Sequence, residues 1–418
     1  MRKLWTDSLL LTLFIFFLTW VIYNVSALGI FNLFDPIGDA LGDMQFTDVV
    51  FSRLRVTPKA DTNVVLVNIG NLTRREIAQE INIVSQFKPK EIGIDVRFLS
   101  PKPDTLGDLM LSEAIKNAGN VVLGDKLEKY DSVTGNFDSL GYSIPMFSKN
   151  AMDNAFVNMI TDNKASEQSQ FKMTRIFTPQ VFLKGDPNND QLAFTVRLAQ
   201  IYSPEKVKRF LKRNNQVEVI NYRGDIRKSG YDGQIGPQFT ALDIPELFSG
   251  NFEPSVFKNK IVLLGFMGSN FQSQSWEDKF YTPMNAQYAG KANPDMYGVV
   301  IHANIISMIL NQEYINILPP WLENAIGIVI VFFNNMFFLV IYRRLSRWYD
   351  GLTILIQLFE LMGLLYLIIM FFHWFSLKLN LTLAFVGIGL AQNSLELFFS
   401  VFMNLFSREG RAEIFSNP

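Results

Sequence analysis

Acid–base chemistry has few candidates in this chain. Its 418 residues include two histidines and no cysteine. Without cysteine there is no disulfide, no Cys–zinc or iron–sulfur site and no thiol nucleophile. His302 opens a predicted helix. An imidazole there is either a buried structural group or a ligand-binding or pH-sensing one, since histidine titrates near neutrality. His373 lies in a short turn between apolar stretches and reads as a polar interface residue. Walker-type and dinucleotide glycine loops, His-Glu-x-x-His and the Gly-x-Ser-x-Gly elbow are all absent. The isolated acids at 104, 108, 125 and 131 lack a calcium-loop pattern and read as a solvated surface. No nucleophile–base pair or metal set can be assembled, so no enzyme, cofactor or metal site is expected. A net charge of −1 provides no basic field for nucleic acid.

Binding in a crevice is the chemistry that the spacing does allow. Short apolar runs at 63–70, 91–98, 120–126, 217–224 and 259–269 read as strands. Helical spacing occupies 73–87, 105–118, 191–213, 241–250 and 297–315. Thr73 and Glu76 form a capping box, and Gly250 stops the fourth of these helices. Residues 130–190 are polar and read as an insertion with short strands. Strand–helix alternation with short connections predicts an α/β domain with a mostly parallel sheet. In such sheets ligands bind beyond the C-terminal strand ends. Asp95, Arg97, Gly265, Gly268 and Ser269 fall there. The following loop supplies Asp278 and Thr282, and the last helix supplies His302. The alternative is that Asp95 and Asp278 cap helices or tie down loops.

The two ends of the chain have a different composition. Residues 8–34 carry no charged side chain and exceed the roughly 20 residues that span a bilayer. A cleaved signal peptide is the alternative for this segment, but the apolar run is long for one. Residues 322–342, 351–372 and 379–406 predict three further spans, with Trp321, Tyr342, Trp348 and Trp374 at their ends. Arg2 and Lys3, then Arg343, Arg344 and Arg347, then Arg408 and Arg411 belong on one side, the cytoplasm, by the positive-inside rule. Four membrane helices, one N-terminal and three C-terminal, satisfy that alternation. Polar side chains interrupt the last three: Asn334 and Asn335; Gln357 and Glu360; Gln392, Asn393 and Glu396. Such groups are costly in lipid, so they predict polar contacts that hold the helices together, a face for a partner or a second copy, or a proton or ion path, for which two acids without a clear cation partner are poorly suited.

The order and spacing of several segments resemble the CHASE2 domain, an extracytoplasmic sensory domain of bacterial signalling proteins. The resemblance rests on VVLVNIG, on EIGIDVRFLSPKPDT with its Asp95 and Phe98, and on GNVVLGDK (119–126). It rests further on NKIVLLGFMGSNFQSQSWEDKFYTP (259–283) and on YGVVIHAN (297–304). Two departures stand out. Asn68 occupies a place where the family often has an acid, and NLTRREIAQ replaces a Trp-Pro-Trp-like motif. Members usually continue after the last span into an output domain, whereas this chain ends at Pro418, shortly beyond it. The resemblance implies a CHASE2-like extracytoplasmic domain over 35–318, after a cytoplasmic start and first span at 1–34. Membrane segments follow at 319–345, 346–375 and 376–418, in a bacterial inner membrane with both termini cytoplasmic. The expected function is a sensor or adaptor that passes a binding event through its membrane helices to a separate membrane or envelope protein. The alternative is a constitutive subunit of an envelope complex, with the domain as a docking surface.

Overall fold

A computed structural model describes residues 2–26, 47–56, 58–131, 136–159, 173–183, 190–226, 238–273, 275–285, 293–345 and 349–399. The chain divides into two compact units, residues 51–315 and residues 1–50 together with 316–418.

The first unit is built on a seven-stranded sheet. Its strands are β1 (Asp61–Asn68), β2 (Glu91–Ile94), β3 (Val121–Asp131), β4 (Asn136–Gly141), β5 (Asp153–Phe156), β6 (Phe239–Leu242) and β7 (Ile261–Gly265). The order is β6-β1-β7-β2-β3, with both β4 and β5 paired to β3. Every pairing is parallel except the β3–β4 hairpin. The register sets Asn68 opposite Gly265 and Leu264 opposite Ile94. β1 and β7 are aliphatic runs because both of their faces are covered.

One face packs against α2 (Arg74–Gln86) and α3 (Thr105–Ala118). There Val65, Val67, Ile92, Ile94, Val121, Leu123, Val262 and Leu264 meet Ile77, Ile81, Val84, Leu111 and Ile115 in one buried cluster. α2 starts with the predicted capping box: Thr73 N–H donates to the Glu76 carboxylate at 2.7 Å and Glu76 N–H to the Thr73 hydroxyl. The other face packs against α4 (Phe194–Tyr202), whose chain continues into α5 (Pro204–Leu211), and against α6 (Gly298–Asn311), which is buried almost throughout.

Several predicted elements differ. The helix predicted over 191–213 breaks between α4 and α5 because Pro204 has no N–H to continue the ladder. The strand predicted over 217–224 shrinks to Glu218–Val219, paired with Ile176–Phe177 outside the main sheet. The backbone that follows it is bonded to side chains of α6 instead. The segment 241–250 is part strand and part helix: β6 ends at Leu242, and the helix Ile244–Ser249 follows its Asp243 cap. β2 ends at Ile94, four residues earlier than the periodicity suggests.

The second unit contains α1 (Arg2–Ser26), α7 (Pro320–Arg344), α8 (Tyr349–Phe375) and α9 (Thr382–Leu397). Three stretches are long and apolar enough to cross a membrane: Leu4–Val21, Pro320–Arg344 and Gly351–Phe375. α9 has 16 residues, about 24 Å of helix at ~1.5 Å per residue, against a hydrocarbon core of about 30 Å. The remainder of the predicted fourth span, from residue 400, lies outside the described residues, as do residues 27–34 of the first. Leu11 and Ile15 of α1 bury against Val331, Phe338 and Leu339 of α7 and Ala391 and Leu395 of α9. Asp7 of α1 is ion-paired with Arg343 of α7, so the start of the first helix and the end of the second lie side by side. At the other end of α7, Asn316–Ile317 pairs in parallel with Leu377–Lys378, the turn between α8 and α9. Asn316 N–H donates to Ser376 O at 2.8 Å, and Asn380 N–H donates to the buried Glu323 carboxylate at 2.8 Å.

Candidate functional site

The C-terminal edge of the sheet is where the predicted crevice residues fall, and the structure distributes them over several places. Asp95 and His302 come together. Asp95 follows β2, held by an N–H bond to Leu264 O at 2.9 Å, and its carboxylate faces His302 Nε2 at 3.7 Å. That distance is an electrostatic contact rather than a hydrogen bond. Phe194 of α4 stands edge-on to the imidazole, and Nδ1 has no hydrogen-bond partner among the described residues. Burial strips both groups of hydration, pushing the Asp95 carboxyl up to about 7 and the His302 imidazole down to about 3. The pair therefore sits between sheet and helix with a carboxyl that titrates near neutrality beside a neutral ring.

Gly265, Gly268 and Asp278 surround the start of α6. A side chain at Gly265 would strike Val299, so the glycine lets the helix approach the strand end. Gly268 has φ +89°, a left-handed conformation that glycine adopts without strain. Asp278 is exposed, and its carbonyl accepts the Gly298 N–H at 3.0 Å. Thr282 is buried and turned elsewhere: its N–H and hydroxyl donate to the two Asp295 oxygens at 2.8 and 2.5 Å. Desolvation raises Asp295 to about 7 against those two bonds. Arg97 is ion-paired with Glu128 of β3 at 2.7 Å, and Ser269 is exposed.

The most heavily bonded residue at this edge is Asn68, where the family resemblance leads one to expect an acid. Its amide N–H groups donate to Asp243 Oδ1 at 2.8 Å and Gly268 O at 3.1 Å. Its Oδ1 accepts the N–H of Gly70 at 3.0 Å and of Met267 at 2.8 Å. All four bonding positions of the amide are used. A carboxylate would offer no donor to Asp243 or Gly268 and would place two acids together, so asparagine is the residue this closed edge requires.

A second polar set runs along the inner side of α6, and the sequence reading missed it. Asn304 Oδ1 accepts the N–H of Arg223 at 2.6 Å and of Gly224 at 3.1 Å, and its amide donates to Gly224 O and Val300 O, both at 2.9 Å. Ser307 donates to Asp61 at 2.5 Å and accepts from Arg223 Nε at 2.8 Å. Asn311 also reaches Asp61, at 2.9 Å, and Arg223 pairs with Glu313 at 2.6 Å. The signal was present as polar residues at 304, 307 and 311, a one-sided stripe in an otherwise apolar helix. Glu91, two residues before Gly93 on β2, is fully buried with neither oxygen bonded among the described residues, and burial pushes it up to about 9 despite Lys90 and Arg197. Among the described residues no three His, Asp or Glu side chains converge to hold a metal ion.

In the helical unit most of the predicted polar residues contact one another or the backbone. Asn334 donates to Glu360 at 2.5 Å, Asn335 to Thr12 at 2.9 Å, and Gln357 to the carbonyls of Ile388 and Gly389 at 2.5 and 2.7 Å. Gln392 is half-buried, while Asn393 and Glu396 are exposed on α9.

These features define a class: an α/β domain joined to apolar helices able to cross a membrane, with buried polar groups between the sheet and the helix that precedes α7. Residues 27–336 match the CHASE2 domain, so the chain belongs to the CHASE2 family of extracytoplasmic sensory domains. The matched region extends beyond 35–318 at both ends and runs into α7. No curated protein and no solved structure matches the chain.

Proposed function

We propose that the protein is a bacterial inner-membrane sensor that passes a binding event at its outer domain to a separate membrane protein through its helices. A fourth crossing by α9, with both termini cytoplasmic, belongs to this reading. The observation that carries it is the ladder between Asn316–Ile317 and Leu377–Lys378. The segment leaving the outer domain is hydrogen-bonded to the α8–α9 turn, so a displacement of that segment acts on α7 and on the hairpin together. Asn393, exposed on α9, is the natural contact for the partner, since Asn334, Asn335, Gln357 and Glu360 bond within the unit.

The test is purification of the intact chain in mild detergent, with mass spectrometry of what accompanies it. The control is the variant Asn393→Leu. The expected result is a membrane protein whose recovery changes with the occupancy of the outer domain and which the control loses. A chain that purifies alone from its native membrane overturns the relay.

A second reading is favoured by Asn68 and Thr282. Both spend their bonding capacity on neighbouring loops, which suits a docking surface better than a small-ligand crevice. In that case the protein is a constitutive subunit of an envelope complex, and the partner co-purifies at fixed stoichiometry under all conditions.

A further inference from the structure

Helix α5 carries a group of cations that the reading above does not use. Lys208, Arg209 and Lys212 are exposed, and neither lysine has a hydrogen-bond or ion-pair partner among the described residues. Arg209 reaches the carbonyl of Glu205 at 3.5 Å. Lys208 and Lys212 are one turn apart and lie on the same side of the chain. With Gln200, Pro204, Glu205 and Leu211 they line an open groove of about 510 Å³. One acid, Glu205, therefore faces two lysines across an apolar floor.

The helix is also fixed to the segment that enters the membrane. Lys206 Nζ donates to Leu310 O at 2.7 Å and Arg213 Nη2 to Ile315 O at 3.3 Å. Arg213 lies over the Tyr314 ring, and Phe210 stacks beside it. Nearby acids are already engaged: Glu218 by Arg213 and Glu313 by Arg223. Pro320, where α7 begins, is the fifth residue after Ile315, a reach of at most ~18 Å even when fully extended. Trp321, 70% exposed, is the kind of ring that sits at headgroup level. Covalent geometry thus holds Ile315, the end to which α5 is tied, within that reach of the first residue of α7.

We propose that the exposed basic face of α5 docks onto anionic lipid headgroups, with Lys208 and Lys212 holding lipid phosphates across the groove. The match is one of charge. Ammonium groups close to an anionic surface are attracted within a Debye length of about 8 Å, and apolar Pro204 and Leu211 between them tolerate the glycerol edge of the lipid.

The experiment is amine acetylation of the full chain in nanodiscs, read residue by residue by mass spectrometry, with exposed Lys102 as the internal reference. The discs are phosphatidylcholine alone or phosphatidylcholine with a quarter phosphatidylglycerol. The expected result is that Lys208 and Lys212 react about fivefold more slowly with the anionic lipid, and that the protection disappears at high salt. Equal rates in the two kinds of disc overturn the proposal. Protection by inorganic phosphate in phosphatidylcholine discs also overturns it, because the ligand is then a free anion. Protection in native vesicles but not in the anionic discs assigns the face to an acidic protein and overturns it as well. No substitution is required, so loss of folding cannot imitate any outcome.

Discussion

The two faces of the central sheet are built by different rules. The face under α2 and α3 is a mainly aliphatic cluster, with Glu80 of α2 and Asp108 of α3 as the buried acids on its helices. The face under α4 and α6 contains Asp61, Glu91, Asp95, His302, Asn304 and Ser307, all within the same compact unit. Apolar contacts are non-directional and tolerate small shifts, whereas buried polar groups tie one geometry to their partners. The aliphatic face is therefore the source of cohesion. The mixed face fixes where α6 lies, and α6 is the helix from which the chain leaves for the membrane.

Four substitutions test this contrast in urea unfolding of the intact chain, followed by pulse proteolysis of the outer domain. Arg223→Ala should have the largest effect. It removes the charge-assisted bonds from a buried guanidinium to Ser307, to the Lys59 carbonyl and to Glu313, and the expected loss is roughly 4 kcal/mol. A loss below about 1 kcal/mol would mean that the mixed face does not hold α6. Ile81→Ala on the aliphatic face should cost about 3 kcal/mol by leaving a cavity. Its cost should be the same at acid and neutral pH, and any pH dependence would contradict the division between the faces.

Glu91→Gln should stabilise. The folded carboxyl titrates at about 9 and the unfolded one near 4.5. The folded state therefore holds the extra proton between those values, and wild-type stability is full below the lower and falls as pH rises towards the upper. Gln removes that loss, for a gain of about 2 kcal/mol near pH 8 that fades towards pH 4.5. His302→Gln should have the smallest effect and the opposite slope. The folded imidazole titrates at about 3, below its ordinary 6.5, so its burial costs stability only as pH falls below neutrality. The variant should match wild type near pH 8 and gain about 1 kcal/mol near pH 5. Parallel slopes for the two variants would remove the basis for treating these groups as independently buried.

Much of the scaffold could be read from local patterns. β1, α2 with its capping box, α3, β7 and α6 follow from aliphatic runs, caps and helical spacing, all of which act within a few residues. β6 was hidden because its four residues precede a strong Asp-x-x-Glu helix start and its pairing partner is β1, far back in the chain. Residues 220–224 looked like a strand, but Asn304 takes the backbone groups that a neighbouring strand would have used. In the candidate site, Asp95 and His302 were both named, and the structure adds that they face each other. Asp61 could not be connected with Ser307, because the two are separated by most of the outer domain. A single sequence does not display such long-range pairings, although the polar stripe on α6 showed that some partner was needed.

The position of β7 between β1 and β2 imposes an order in time. β1 and β2 are never hydrogen-bonded to each other, since each pairs with β7. The ribosome has made residue 94 long before residue 265, an interval of roughly ten to thirty seconds at ordinary synthesis rates. Throughout it, both strands present open backbone edges of the kind that recruit other chains. The nascent domain thus has a period of vulnerability whose length is set by the stretch of chain that separates β2 from the central strand.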